Sequence, residues 1–313
     1  MTDPRIGVVG ATGAVGQVTL ALLAERGFGQ VRAFASSRSA GSTVAYGDGE
    51  IGVEEATVEA LGAGELDLCF FSVGTGPSSE LVPAAVQGGA VCVDKSSAFR
   101  LTDGVPLVVP EVNGDRATVH EGIVANPNCS TVQLVCALAP LHEAAGLRSV
   151  RIATYQSASG AGVERMEQLR AQASGDGDVV MDWEFEGDES DEESKLRAET
   201  RKIMELPDLP IHAQCVRVPV MVGHAEAVWV ETDDAITPAG AAKLLGEAPA
   251  VELVEFPTPG LARGRDTVLV GRIRRDSTEP NGLSLFVVCD NLRKGAALNA
   301  IQIAELLPRA VPA

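Results

Sequence analysis

Cys129 is the residue of this 313-residue chain most plainly placed to do chemistry. Asn126-Pro127-Asn128-Cys129-Ser130-Thr131 runs directly into an apolar stretch, residues 132–145, that predicts a helix. A thiol at a helix start sits among free backbone N–H groups and the positive end of the dipole, which favour the nucleophilic thiolate. Asn128 or Ser130 could cap that helix. A lone cysteine before a helix could equally be a small buried cap residue, so its companions matter. Gln156-Ser157-Ala158-Ser159-Gly160-Ala161-Gly162 follows a strand, and its small residues let a ring or a small substrate come close. Arg217 lies in an apolar strand, Cys215-Val216-Arg217-Val218-Pro219-Val220-Met221. A guanidinium there must find an anion, and a carboxylate fits it bidentately. His224 follows at the next turn, where an imidazole can act as acid and base near neutral pH. Nucleophile, carboxylate anchor and acid/base together point to covalent acyl chemistry.

A second motif lies at the start of the chain. Gly10, Gly13 and Gly16 form GxxGxxG between a strand and a helix. An ordinary tight turn could carry the same glycines, but this context suits a dinucleotide. Glycines admit the pyrophosphate, and the helix start, with Thr12, Ala14 and Val15 in the turn, offers it N–H groups. After the second strand an NAD site usually has an acid for the ribose hydroxyls. Here Ser36, Ser37, Arg38 and Ser39 stand instead, hydroxyls and a guanidinium suited to a 2′-phosphate, so NADP is expected over NAD.

The elements that position these groups fall into two series. Residues 5–9, 31–35, 66–71, 90–93, 107–109 and 122–125 are apolar strand runs, with helical stretches at 17–26 and 78–87. Strands alternating with helices predict a parallel sheet covered on both faces. Beyond residue 148 longer alternating strands take over, at 150–155, 214–221, 225–231, 268–274 and 283–289. Short links such as Val222-Gly223 suggest an antiparallel or mixed sheet there. A last helix, 294–307, is expected to pack back on the first domain. The acidic stretch 174–205 reads for the most part as a solvated loop and an exposed helix face. The fold class is therefore α/β: a Rossmann-type parallel-sheet domain plus an α+β catalytic and dimerisation domain with a mixed sheet. The expected bounds are 1–128 with 293–313 for the first and 129–292 for the second.

A net charge of −18 argues against nucleic acid, and no apolar run approaches the roughly 18–20 residues of a membrane span. With no signal-peptide layout, a cytoplasmic location is expected. The six cysteines mostly lie in apolar runs and read as core residues rather than disulfides, and no CxxC pair suggests a metal. Phosphorylated ligands would require local positive sites inside a repulsive field, which makes each placed cation informative.

Across nearly its whole length the chain resembles the aspartate-β-semialdehyde dehydrogenase family. The resemblance is carried by GATGAVGQ (10–17), SSRSAG (36–41), FSVG (71–74), VDKSSAFR (93–100), VPEVN (109–113), NPNCST (126–131) and QSASGAG (156–162). EESKLRAETRKI (192–203), CVRVPVMVGHAE (215–226), GRDTVLVGRIRRD (264–276) and DNLRKGAALNAIQIAELL (290–307) continue it. It implies that Cys129 is the nucleophile, Gln156 positions the substrate and His224 is the general acid/base. It further implies that Arg217 holds the α-carboxylate, Arg100 and Lys195 bind phosphate, and Asn128 and Glu192 help place the substrate. Gly74, Ser157, Ser159, Gly160 and Asn291 join the turn residues as cofactor contacts on the same ground. The implied reaction is reduction of L-aspartyl-4-phosphate by NADPH through a Cys129 thioester. That step belongs to diaminopimelate, lysine, threonine and methionine biosynthesis, with a homodimer or dimer of dimers as the assembly.

Between Gly162 and Glu192 the chain is shorter than the family pattern, and Met181-Asp182-Trp183-Glu184-Phe185 replaces an apolar run around an asparagine and proline. In the family this region touches the dimer interface and the active site, so the departure bears on both. The N-acetyl-γ-glutamyl-phosphate reductases share the chemistry but carry their cysteine in an NPGCYPT-like context, against NPNCST here. A reductase of another acyl phosphate or an acyl-CoA is a further alternative. A non-catalytic paralogue would not be expected to keep Cys129, Gln156, Arg217 and His224 together.

Overall fold

Ile-Gly-Val-Val at 6–9 presents no polar side chain to water, and the strand it forms, β1 (Ile6–Val9), is wholly buried in the middle of a sheet. The computed structural model describes residues 4–172 and 185–307, and the chain falls into two units, Met1–Pro127 with Ala296–Ala313, and Asn128–Gly295. In the first unit β1 leads to α1 (Ala14–Glu25), then β2 (Val31–Ala35) and the hairpin β3 (Thr43–Tyr46) and β4 (Gly49–Glu55). A one-turn helix α2 (Val58–Leu61), β5 (Leu68–Phe71), α3 (Thr75–Gln87), β6 (Val91–Asp94), the short α4 (Pro110–Asn113) and β7 (Ile123–Ala125) complete it. Sheet order is β3-β4-β2-β1-β5-β6-β7, parallel except at the β3–β4 hairpin. The chain leaves β1 in one direction to β2 and later returns to its other side with β5. The crevice at that reversal is where open α/β sheets bind ligands.

The second unit begins with α5 (Cys129–Ala145), then β8 (Leu147–Gln156) and α6 (Val163–Gln172). The small ribbon β9 (Phe185–Glu186) and β10 (Glu189–Ser190) leads to α7 (Asp191–Ile203), followed by β11 (Ile211–Arg217) and β12 (His224–Thr232). Next come α8 (Pro238–Glu247), β13 (Val251–Leu253), the short α9 (Pro259–Ala262), β14 (Val268–Arg275) and β15 (Gly282–Cys289). Sheet order is β11-β8-β12-β15-β14-β13, mixed in direction. Along β12 residues His224, Glu226, Val228, Val230 and Thr232 are buried, while Ala227, Trp229 and Glu231 on the opposite face are only half-buried. Helix α5 packs on this sheet and is buried around most of its circumference, as an apolar helix must be. A wide-turn π segment, Arg293–Ala297, runs into α10 (Leu298–Leu306). Leu298 and Ile301 share a core with Ile6, Val8 and Leu20 of the first unit.

Several sequence expectations are corrected. Residues 107–109 make no strand: Leu107 forms one bridge to Ala125, and the chain turns into α4 at Pro110, whose ring nitrogen cannot extend a ladder. The predicted strand 214–221 begins earlier and ends at Arg217, just before Val218-Pro219. Despite the short link between them, β11 and β12 are not partners. β8 lies between, parallel to β11 and antiparallel to β12. Helix α1 starts at Ala14 rather than residue 17. The β3–β4 hairpin, turned at Gly47 with φ 57, was not expected because its glycines and charges mask the alternation. Of the segment Met181–Phe185 only Phe185 lies within the described residues.

Candidate active site

Cys129 is the first residue of α5, and the residues on either side of it are fastened to other elements. Asn128 caps the helix, its Oδ1 accepting from the Ser130 N–H at 2.8 Å. Its Nδ2 donates to Glu192 Oε1 at 2.9 Å, and its backbone N–H donates to Glu199 Oε2 at 2.7 Å. Gln156, the last residue of β8, donates from Nε2 to the same Glu192 oxygen at 2.8 Å and also to Ser130 Oγ. Gly295 faces Cys129 so closely that an added Cβ would lie 3.2 Å from the Cys129 Cβ. Cys129 is half-buried, whereas the other five thiols are buried, and none of the six is in a disulfide.

The two carboxylates come from a stretch read as mainly solvated, and that reading fails for part of α7. Ser190 and Glu193 form a reciprocal capping box, and Glu193 Oε1 also accepts from the Cys215 N–H at 2.8 Å. With its N-terminus fixed to β11, α7 turns Glu192 and Glu199 inward, seven residues and two turns apart on one face. Lys195 is half-buried on the same helix, its ammonium paired with Asp191 at 2.5 Å.

Arg217 and His224 meet over Gly160. A Cβ at that glycine would lie 2.9 Å from both Cε1 and Nε2 of His224 and 3.3 Å from Arg217 Nη1. Arg217 donates to the Ser157 carbonyl at 3.0 Å. The Ser157 N–H donates to His224 Nδ1 at 3.0 Å, which makes Nδ1 the acceptor and leaves the proton of a neutral imidazole on Nε2. That Nε2 is buried and has no partner among the described residues. Burial, with the Arg217 charge beside it, pushes His224 down to about 3, so the ring is neutral at physiological pH. The arrangement offers a fixed N–H donor and a guanidinium around one small backbone position.

Asn291 holds this loop together. Its Oδ1 accepts from the Gly223 N–H at 2.8 Å, Ser157 Oγ at 3.0 Å and Ser159 Oγ at 3.1 Å. Ser157, Ser159 and Asn291 are thus buried and bonded to one another. Arg100 belongs to the first unit, where it is buried and donates to the carbonyls of Asn126 at 3.0 Å and Lys95 at 2.5 Å.

At the end of β1, Gly10 has φ +86, and a Cβ there would lie 2.5 Å from the Ser72 carbonyl oxygen; one at Gly16 would lie 2.1 Å from the Gly10 oxygen. Only glycine fits either place. Gly13 is the N-cap of α1 and supplies no side-chain cap, so the first-turn N–H groups at Ala14 and Val15 remain available to a ligand, beside the half-buried Thr12. Gly74 likewise caps α3 without a side chain. Ser36, Ser37 and Arg38 are exposed just after β2, and Ser39 is half-buried. These are features a bound dinucleotide would use.

The sequence singles out neither Glu199 nor Gly295, and offers Ser130 only as a possible helix cap, a place that Asn128 takes. The spacing of Glu199 from Glu192 on one helix face was the signal available. Among the described residues no His, Cys, Asp and Glu cluster is arranged for a metal, and no helix is long and apolar enough to cross a membrane.

Comparison with known proteins agrees with this architecture. The semialdehyde dehydrogenase NAD-binding domain model matches residues 5–120, and the semialdehyde dehydrogenase dimerisation domain model matches 138–186 and 181–294. The second match is broken at 181–186, inside the stretch where the chain is short. Aspartate-semialdehyde dehydrogenase of Corynebacterium melassecola is 45% identical over 341 aligned positions, covering 96% of this chain and 98% of the relative. That alignment is longer than the chain, as a shortened segment requires. Among solved structures, aspartate semialdehyde dehydrogenase II from Vibrio cholerae complexed with ASA has a TM-score of 0.92 at 38% identity, covering 98% of both chains. The enzyme from Candida albicans with NADP has a TM-score of 0.77 at 27% identity, covering 97% of this chain and 98% of the other. The chain belongs to the semialdehyde dehydrogenase family, among the aspartate-semialdehyde dehydrogenases.

Proposed function

We propose that the chain reduces L-aspartyl-4-phosphate to L-aspartate 4-semialdehyde and phosphate, with NADPH as reductant and Cys129 as nucleophile. The observation that carries this reading is the tethering of Cys129. Its two neighbours in sequence are bonded to Gln156, Glu192 and Glu199, which fixes the direction of the thiol. The thiolate attacks the acyl carbon, the bond from that carbon to the phosphate oxygen breaks, and phosphate leaves a thioester on Cys129. When bound, the nicotinamide supplies the hydride for its reduction. His224 offers its Nε2–H to the carbonyl oxygen as negative charge gathers there, and collapse returns the Cys129 thiolate and frees the aldehyde.

Arg217 holds the substrate's α-carboxylate in this scheme, and Gln156 orients the acyl group. Asn128 and Glu192 shape its surroundings. Arg100 and Lys195 bind the phosphate, a role supported by family resemblance; Lys195 would exchange its Asp191 partner for it. The first domain holds the cofactor through Gly10, Thr12, Gly13, Ala14, Val15 and Gly74, with Ser157, Ser159, Gly160 and Asn291 shaping the nicotinamide end. Ser36, Ser37, Arg38 and Ser39 select the 2′-phosphate. The protein works as a cytoplasmic homodimer or dimer of dimers. The half-exposed outer face of the second sheet, with Tyr155, Val216 and Trp229, supports that assembly.

The test is the reverse reaction with aspartate semialdehyde, phosphate and NADP. Cys129→Ser is expected to abolish it while leaving NADP binding nearly unchanged. More than a trace of turnover in that variant would end the thioester reading. Arg38→Ala is expected to erode the preference for NADP over NAD, and equal efficiency with both cofactors in the native protein would show the cofactor assignment to be mistaken.

A further inference from the structure

Beneath the thiol helix lies a carboxyl that the proposed chemistry does not use. Glu226 stands on β12, an interior strand, opposite Thr154 of β8 and Val287 of β15, and has no exposed surface. It follows His224 by two residues and so shares its face of the sheet, the face that α5 covers. Gln133, also fully buried, follows Cys129 by four residues and lies one turn along the same side of α5. Its carboxamide faces the Glu226 carboxyl. The two do not meet in a fully formed hydrogen bond, and neither Glu226 oxygen has another partner among the described residues.

The titratable groups around Glu226 are thiols, acids and the neutral His224 ring on its own strand. Cys289 on β15 lies within electrostatic reach of Glu226 and also of Cys129 and Cys136 on α5. Cys215 on β11 feels Glu226 together with Glu192 and Glu193 of α7. β8 contributes Thr154 and Gln156, which do not titrate. Arg217, at the end of β11 on this face, stands beside His224, and what acts on Glu226 is burial and Gln133, so an ionised Glu226 would be a buried charge without a paired counterion. Burial pushes it up to about 8, and Gln133 offsets a part of that rise.

We propose that Glu226, working as a neutral acid against Gln133, controls the reactivity of Cys129. While Glu226 keeps its proton, the floor beneath the nucleophile carries no charge. When it ionises, a like charge shares the buried space with the thiolate and disfavours it. Glu226 is therefore a positioning residue that acts through its neighbours rather than on the substrate. This inference rests on Cys129 being the nucleophile.

Alkylation of the folded full chain by iodoacetamide tests it, followed on the Cys129 peptide from about pH 6 to about 10. Glu226→Gln is expected to reach half-maximal alkylation about one pH unit below the native protein, and so to react severalfold faster in between. Gln133→Leu is expected to move the midpoint the same way by a smaller amount, because Glu226 then holds its proton more tightly. A thiol made more reactive is not what simple damage to the core produces. Coincident midpoints in the native protein and the variants, or an upward move, overturn the proposal. If Glu226→Gln does not fold, Gln133→Leu decides. Cys129→Ser separates the two readings: turnover in that variant sinks the nucleophile assignment, whereas its inactivity together with coincident midpoints sinks only the role of Glu226.

Discussion

His224 is a residue whose sequence context and whose surroundings suggest different first roles. At a strand end it reads as an acid and base near neutral pH. Buried, and beside Arg217, it is a neutral ring whose proton sits on the outward nitrogen because Ser157 N–H occupies the other. Such a ring begins as a hydrogen-bond donor. It can take up a full proton only once its surroundings change, and a substrate carboxylate on Arg217 would remove one of the two causes of its depression. The geometry leaves no slack at this point. Gly160→Ala would set a methyl group 2.9 Å from Cε1 and Nε2, so the ring must rotate or the loop must move. We expect the variant to fold but to lose about 100-fold in kcat, the scale of a displacement near 1 Å in a catalytic group. Near-native kcat, with circular dichroism confirming the fold, would show that His224 needs no such placement.

The elements that aim Cys129 are α5, which carries it, and α7, which holds its N-cap residue. The first was legible in the sequence because everything that defines it is local: Asn128 before the helix, an apolar run after it, and Gly146 with φ 64 at its end. The β1–turn–α1 unit was legible for the same reason. The inward role of α7 was not, because Glu199 finds its partner 71 residues earlier in the chain and a run of acids ordinarily belongs to water. Glu226 and Gln133 were silent too, since each is a single polar residue in an apolar run and only the sheet-and-helix packing brings them together. The order β11-β8-β12 was hidden by a short link that normally marks a hairpin. If α7 aims the thiol, Glu199→Ala should do more than destabilise. It strands the buried Asn128 N–H and opens a cavity, costing about 2–3 kcal/mol, and kcat should fall more than KM rises. A lowered melting temperature with unchanged kcat would make α7 a structural support only.

At the scale of the whole molecule, His224 and Glu226 give stability a pH dependence that ordinary surface groups cannot supply. His224 is held down to about 3 in the fold against 6.5 for a free imidazole, so its contribution is complete above 6.5 and is lost as pH falls toward 3. Glu226 is held up to about 8 against 4.5, so its contribution is complete below 4.5 and is lost as pH rises toward 8. Between 4.5 and 6.5 the two slopes oppose and largely cancel. Between 6.5 and 8 only Glu226 still acts, and the −18 net charge changes little there because most of the 43 acids are already ionised. The native protein should therefore lose about 2 kcal/mol across that interval, a fall in melting temperature on the order of 5 °C. Glu226→Gln removes the proton uptake and should flatten the curve above pH 6.5, while leaving the acid-side loss due to His224 in place. Thermal melts of both proteins at matched ionic strength decide the matter: parallel declines above pH 6.5 would mean that Glu226 is not the group being titrated.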